Sequence, residues 1–164
     1  MTYWRMQLHP DAASEAMKHA VDSLAAGYIG LDFGSEVGDL RASTREQVQA
    51  SEKSYFAFAD EMAESDNVLI EVHHFPFALV TVDGEYNYIR TVAPELGVWF
   101  RHFRKVRDVA YYADYKTDAR NWEQIPMTDA ICPLRRADSN SRRLIDQWLQ
   151  WLRSRQPHLA AAGD

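Results

Sequence analysis

The central segment of the chain, residues 67–103, constrains the fold most, because apolar runs alternate there with residues that break regular structure. Residues 67–72 (Asn-Val-Leu-Ile-Glu-Val) form a β-branched, apolar run of the length typical of a buried strand. His-His-Phe-Pro interrupts the pattern at 73–76, and residues 77–82 form a second apolar run. The Asp-Gly pair at 83–84 then predicts a hairpin turn, since glycine adopts a positive φ without steric cost.

The second half of this segment carries the main functional hint. Residues 85–89 alternate with period two, which predicts a short strand with one aromatic and apolar face. Residues 97–103 (Gly-Val-Trp-Phe-Arg-His-Phe) mix aromatic and cationic side chains, a combination that is unusual for a simple core strand.

The remainder of the chain adds helices and short strands on both sides of this segment. The predicted elements are a strand over 2–9, a helix over 13–24, a strand over 28–33, a helix over 54–63, a strand over 105–112 and an amphipathic helix over 141–153. This order indicates a mixed α+β domain. About six short strands within about 110 residues are too many for a flat open sheet, so we predict a small, strongly bent β-barrel, closed on itself, with flanking helices.

Composition narrows the class of protein. With 164 residues and 46% apolar side chains, the chain is long enough for one domain with a substantial core. The single cysteine, Cys132, excludes an intramolecular disulfide and a cysteine-based zinc site. No secretory signal and no apolar run of about 20 residues is apparent, so we expect a cytoplasmic protein with no membrane partner.

The net charge of −6 conceals two basic segments. Residues 101–107 contain four cations and no acid, and residues 135–155 contain six arginines against two aspartates, so each segment carries +4. Screening confines an electric field to about 10 Å, and a basic strip on an acidic body can therefore still meet phosphates. The alternative is that both segments are simply solvated faces.

Two short motifs resemble a known family. Residues 62–70 (Met-Ala-Glu-Ser-Asp-Asn-Val-Leu-Ile) are similar to the M-x-x-G-D-x-V sequence that leads into a barrel strand of the EVE domain, a member of the PUA-like superfamily that also includes the YTH and SRA readers. Residues 104–106 (Arg-Lys-Val) resemble the closing R-x-V strand of that domain. Ser65 stands where the family usually has glycine. The resemblance covers roughly residues 2–115 and depends mostly on the order of these features.

The resemblance implies a PUA-like barrel over 1–115 that binds double-stranded DNA carrying a modified base, 5-methyl- or 5-hydroxymethylcytosine, flipped into an aromatic pocket. Several such domains are the non-catalytic sensor part of modification-dependent restriction systems against phage, fused to an HNH nuclease or to a GTPase of the McrB type, and the chain would be such a reader or a small stand-alone relative. Residues 116–156 would then form a loop and helix packed on the barrel or leading to a missing effector domain, with 157–164 as a linker. The expected partner is modified DNA, and no cofactor is expected.

Candidate pocket residues lie at predicted strand ends, where a barrel has its mouth. Aromatic walls stack on a base, and a carboxylate accepts a hydrogen bond from the exocyclic amine of cytosine or adenine. The predicted pocket residues are Asp32, Phe33, Phe75, Trp99, Trp4 as a weaker candidate, and His73. The competing interpretation is that the aromatics are core residues and that Asp32 is a turn acceptor.

A second set of residues is predicted to contact the phosphate backbone, which positions a protein without reading sequence. These residues are Arg101, His102, Arg104, Lys105 and Arg107. No metal site is predicted, because His73 and His74 as strand neighbours would point to opposite faces.

Other functions remain open at this point. The same pocket suits N6-methyladenine, or a modified base in RNA, and aromatic side chains favour single strands. Catalysis is not expected, because the chain has no glycine-rich phosphate loop, no G-x-S-x-G and no C-x-x-C, although Asp39 with His73 or His74 is a conceivable pair. A protein-binding role is the last alternative, through Trp148 and Trp151 on the C-terminal helix.

Overall fold

The computed structural model describes residues 1–8, 16–32, 37–127 and 129–155. Its strands are β1 (Tyr3–Gln7), β2 (Tyr28–Leu31), β3 (Asn67–Val72), β4 (Phe75–Val82), β5 (Asn87–Tyr88), β6 (His102–Tyr111) and β7 (Ile131–Pro133). Its α-helices are α1 (Ala16–Ala25), α2 (Phe56–Asp60), α3 (Tyr112–Tyr115) and α4 (Asn140–Arg155). Short 3₁₀ turns occur at Arg45–Gln47, Ala50–Tyr55, Pro94–Leu96 and Ala119–Asn121.

All seven strands belong to one sheet with the order β2-β6-β4-β3-β1-β7, and β5 pairs with β6 beside this path. The pair β1–β3 is parallel, and the other pairs are antiparallel. The sheet is strongly curled into a half-barrel. The predicted α+β class is therefore confirmed, whereas the described strands do not close into a full barrel, because β2 and β7 stand unpaired with each other at the two ends of the path.

Both faces of the central strands are covered, which explains why every residue of β3 is buried. Side chains that alternate along a strand point to opposite faces. Val68, Ile70 and Val72 accordingly join the core under α1 and α2, whereas Leu69 joins a second core under α4. A run buried on both faces shows no polar alternation, and this is the apolar pattern that predicts β3 from sequence.

The second core is built around α4. Its apolar stripe includes Leu144, Ile145 and Trp148, which are at most 1% exposed. The indole of Trp148 stacks on Tyr115 with ring centroids 5.4 Å apart and an interplanar angle of 10°. Since the sheet and α3 cover this stripe, the reason for proposing α4 as a docking helix is removed.

The first hairpin lies elsewhere than predicted. His73 and His74, with φ of 50° and 69°, form the two-residue turn that joins β3 to β4, and the ladder closes at the pair Val72–Phe75. A positive φ at both central residues is the backbone of a type I′ turn, which matches the twist of the flanking strands. The Asp-Gly pair at 83–84 instead leads to β5, which pairs with β6 rather than with β4.

The segment before β3 is tied to the N-terminus by one buried carboxylate. Asp66, 2% exposed, accepts hydrogen bonds from the backbone N–H of Thr2 (2.6 Å), the indole N–H of Trp4 (2.9 Å) and the backbone N–H of Ala63 (3.1 Å). Ser65, next to it, has a φ of 69° and donates its N–H to the carbonyl of Val82. The left-handed conformation of Ser65 is the one that glycine adopts most readily.

We expect Ser65→Gly to raise the free energy of unfolding by about 0.5–1 kcal/mol. Glycine removes the unfavourable contact between Cβ and the backbone at positive φ, and this gain exceeds the cost of the greater conformational entropy of glycine in the unfolded chain. Urea unfolding followed by tryptophan fluorescence measures the difference. Ser65→Ala is the matched control, since it removes the hydroxyl and keeps Cβ, and it should give no gain. Equal effects of the two variants would show that the hydroxyl, rather than the backbone, sets the difference.

Candidate nucleic-acid interface

The end of the β2–β6 pair brings together an acidic and a basic side chain, both predicted to bind DNA. The register pairs Leu31 with His102, which places Asp32 across from Arg101. Arg101 Nε donates to Asp32 Oδ1 at 2.7 Å, and the two side chains are 21% and 20% exposed. The arginine therefore orients the carboxylate at a partly open edge of the sheet.

Trp99 lies at the same end, two residues before Arg101. Its ring stacks on His19 of α1 with centroids 4.6 Å apart, and the Lys18 ammonium lies 5.4 Å from the ring centroid. The indole Nε1 is buried and has no hydrogen-bond acceptor within the described part of the chain. A buried indole N–H usually has an acceptor, so this unmatched donor is an exception among the buried polar groups of the chain.

The loop before Trp99 packs closely on the end of α1 and places Trp99 against this helix. Gly97 ends the turn Pro94–Leu96 with a φ of 76°, and a Cβ there would lie 2.1 Å from the Cβ of Ala26. At the next strand, a Cβ on Gly30 would lie 2.6 Å from both Phe100 Cβ and the His102 carbonyl oxygen. Both glycines are therefore required by space, and they hold the loop against α1 and β2.

Two of the predicted pocket residues lie at the opposite end of β6. His73 lies in the β3–β4 turn and Phe75 follows it, and β4 then runs so that Ala78 pairs with Tyr111 and Val82 with Val106. Strand β6 spans ten residues, roughly 30 Å. His73 and Phe75 are thus not brought to Asp32 and Trp99, and Phe33 lies outside the described residues.

Trp4 is also an interior residue. It is 1% exposed, it belongs to the core under α1 and α2, and its indole N–H is bonded to Asp66. In this position Trp4 acts as a core residue and as an anchor for Asp66, and it is not a pocket wall.

His102 and Arg104, predicted to contact phosphates, point into the core. Arg104 is 4% exposed and donates to the carbonyls of Phe58 (2.8 Å), Gly84 (3.0 Å), Ala59 (3.3 Å) and Met62 (2.7 Å). Burial lowers the pKa of this guanidinium from its usual value. These internal hydrogen bonds replace the predicted phosphate contact and join β6 to the segment around α2.

His102 is held as a neutral side chain. It is 1% exposed, and its Nδ1 lies 2.7 Å from the Tyr86 hydroxyl, which itself accepts the N–H of Leu40. Burial, with the nearby Arg101 charge, lowers the pKa of His102 to about 4, and burial raises the pKa of Tyr86 to about 12. The hydrogen bond between a neutral imidazole and a neutral phenol fixes the 37–43 loop on β6, and His102 is buried away from a phosphate.

Lys105 and Arg107 alternate with these buried residues and point to solvent. Both pair with Asp83, at 3.5 Å and 3.2 Å, and their side chains are 62% and 49% exposed. Of the five residues predicted to contact phosphates, Lys105 and Arg107 are accessible cations, and Arg101 is partly accessible within its ion pair.

Sequence reasoning missed several residues beside Trp99 and beside the β2–β6 pair. Lys18 and His19 lie on α1, off its apolar stripe, and only the packing of the 94–98 loop reveals their contact with Trp99. Tyr88 lies two strands from Leu31, about 10 Å away, and it lines a cavity of about 380 Å³ with Val37, Gly38 and Arg90. The alternation in 85–89 was the available signal for Tyr88.

None of the described helices is long and apolar enough to cross a membrane. Across the same described residues, no group of three or more His, Cys, Asp or Glu side chains is arranged to hold a metal ion. In comparisons with known proteins, no protein-family model matches the chain and no curated protein matches its sequence.

Proposed function

We propose that the chain is a PUA-like reader domain that binds double-stranded DNA carrying 5-methyl- or 5-hydroxymethylcytosine and serves as the non-catalytic sensor of a modification-dependent restriction system. The observation that carries the proposal is the ion pair of Asp32 with Arg101 at one end of the β2–β6 pair, with the partly exposed Trp99 two residues before Arg101. The left-handed backbone of Ser65 supports it further, because the EVE motif has glycine at the corresponding position.

Each group has a chemical role in this proposal. Trp99 offers a half-buried ring, and stacking of a base on an aromatic side chain contributes about 1–3 kcal/mol. The Asp32 carboxylate, held by Arg101, would accept from the exocyclic amine of the base. These contacts must offset the few kcal/mol that flipping a base out of the duplex costs.

The cations around this end would hold the duplex. Lys18 is exposed beside Trp99, and Arg90 lines the cavity at Tyr88. Each phosphate neutralised on B-DNA contributes a slope of about −0.9 to the dependence of log affinity on log salt. A small number of such contacts suits a chain with a net charge of −6, since a local strip supplies the attraction.

A panel of duplexes that differ only in one base tests the proposal. We expect tighter binding to a duplex with 5-methyl- or 5-hydroxymethylcytosine than to the plain duplex, measured by fluorescence anisotropy over a salt series. Trp99→Ala should reduce this preference by about tenfold, because it removes the stacking surface. Asp32→Asn should reduce the preference as well, because the side-chain amide places an N–H donor opposite the exocyclic amine of the base, which is also a donor.

Trp151→Ala is the matched control, since Trp151 is another half-buried indole, packed on Tyr115 in α3 at a distance from β2. It should leave the preference unchanged. Duplexes with N6-methyladenine and an RNA of the same sequence complete the panel. Equal affinity for modified and plain duplex at every salt concentration would refute the reader function.

A further inference from the structure

A cavity of about 430 Å³ opens beside β7, at the end of the sheet path opposite to β2. Part of its lining is apolar and comes from Ile125, Pro126 and Leu134. Cavities of 300–1,000 Å³ with an apolar lining and a few polar groups are typical of small-molecule sites. The reader proposal makes no use of this cavity.

Arg5 is the polar group that sets this cavity apart. It lies on β1 between its register partners Leu69 and Cys132, and its Nη1 donates to Ser141 Oγ at 3.3 Å. Its Nε is buried without an acceptor among the described residues. A guanidinium has five N–H donors, and among the described residues one hydrogen bond, to Ser141, engages them, so the cavity wall presents a cation with further donors.

The carboxylate whose charge acts on Arg5, that of Glu71, does not accept a hydrogen bond from it. Glu71 interacts with Arg5 only through its charge, and neither of its oxygens has a hydrogen-bond partner among the described residues. The Arg5 donors that face the cavity are therefore open to water or to an acceptor supplied by a ligand.

Other donors approach the cavity from a different element. Arg136 lines it with a side chain that is 80% exposed and pairs with Asp138 at the surface. Ser139, just before α4, and Asn140 and the buried Ser141, in its first turn, lie on the same wall, where the first N–H groups of the helix precede its hydrogen-bonded ladder. The unfilled donors of Arg5, rather than the helix end, carry the inference.

We propose that this cavity binds a small organic phosphate, with the phosphate between Arg5, Arg136 and the 139–141 segment and the organic part on Ile125, Pro126 and Leu134. A phosphate suits donors that arrive from several directions, because it is tetrahedral and has up to two negative charges. A carboxylate is planar and is satisfied by a single arginine fork.

Titration of the ¹⁵N-labelled full chain with phenyl phosphate, inorganic phosphate and benzoate tests the class of ligand. We expect phenyl phosphate to shift the amide resonances of residues 139–141 with a dissociation constant of about 1 mM or below, and inorganic phosphate to bind more weakly because it lacks the apolar part. Binding of benzoate as tight as that of phenyl phosphate, or no shift with either phosphate, would overturn the proposal.

Three variants locate the site. Arg136→Met should weaken phenyl phosphate binding by about tenfold, and because its side chain is exposed the substitution leaves the core intact. Arg5→Lys should weaken it similarly, because lysine retains the charge but loses the fork. Arg120→Met is the control, since Arg120 is 89% exposed, pairs with Asp118 and lies outside the cavity. Equal weakening by all three variants would mean non-specific attraction and would contradict the site.

A plain DNA duplex titrated in the same way separates two sources of phosphate. Shifts at 139–141 with the duplex and none with phenyl phosphate would overturn the small-molecule proposal and assign the cavity to a nucleic-acid backbone. Because Trp99 and Asp32 play no part in these titrations, loss of the reader function leaves the outcome here unaffected.

Discussion

We expect Arg104→Met to lower the free energy of unfolding by about 3–5 kcal/mol, because it removes a buried charge partner from four carbonyl groups at once. The guanidinium is 4% exposed and bonds the carbonyls of Phe58, Ala59, Met62 and Gly84. Methionine fills a similar volume but donates nothing. The last turn of α2 and the turn after β4 would then keep buried acceptors without partners.

Urea unfolding followed by tryptophan fluorescence measures this loss. Arg104→Lys should lose about 2–3 kcal/mol, since one ammonium cannot reach four carbonyls arranged for a planar fork. Lys105→Met is the control on the same strand, because that side chain is 62% exposed and its pair with Asp83 contributes little. A loss below about 1 kcal/mol in Arg104→Met would mean that water replaces the guanidinium at the carbonyls.

The alternation along β6 explains why a basic segment contains a core arginine. His102, Arg104 and Val106 are buried, whereas Lys105 and Arg107 are exposed. Counting charges treats the segment as one strip, but period two divides it between the two faces of the sheet. Arg104 lies two residues before the apolar Val106 and therefore on the same face of the strand, and this was the sequence signal for burial.

Local patterns predicted the elements whose neighbours are close in sequence or whose faces are wholly apolar. Strand β3 and helix α4 follow from such patterns, and Gly27, two residues after α1, has a φ of 81°. Strand β7 was missed because it is three residues long, ends at Pro133 and is formed only by pairing with β1, more than 100 residues earlier. Pairing at that distance leaves no local pattern.

The first hairpin shows the same limit. The Asp-Gly pair at 83–84 has the better turn sequence, yet the ladder from β3 to β4 forces the positive φ onto His73 and His74. At the candidate site, the pairing of β2 with β6 unites Asp32 with Arg101, while β4 carries Phe75 away. Sequence predicted the residue types of a pocket, and long-range register decided which of them meet.

The second large effect concerns Glu71, whose carboxyl is 0% exposed and has no hydrogen-bond partner among the described residues. Burial raises its pKa from 4.5 to about 7, although the positive charge of Arg5 opposes the shift. The folded state therefore holds the proton more tightly than the unfolded state. Its contribution to stability is fully present below about pH 4.5 and is lost as the pH rises through about 7.

The quantity to compare is the free energy of unfolding of Glu71→Gln minus that of the original chain. We expect this difference to be about 2–3 kcal/mol larger at pH 8 than at pH 4.5, because glutamine cannot ionise. Comparing the two pH values cancels the cost of the buried amide, which is similar to that of the protonated acid. Urea unfolding at pH 4.5, 6 and 8 gives the free energies, and Glu95→Gln, at an exposed position, is the control with no dependence on pH. The same difference at all three pH values would show that Glu71 ionises as readily in the folded chain as in the unfolded one, which requires water to reach the carboxyl beside Arg5.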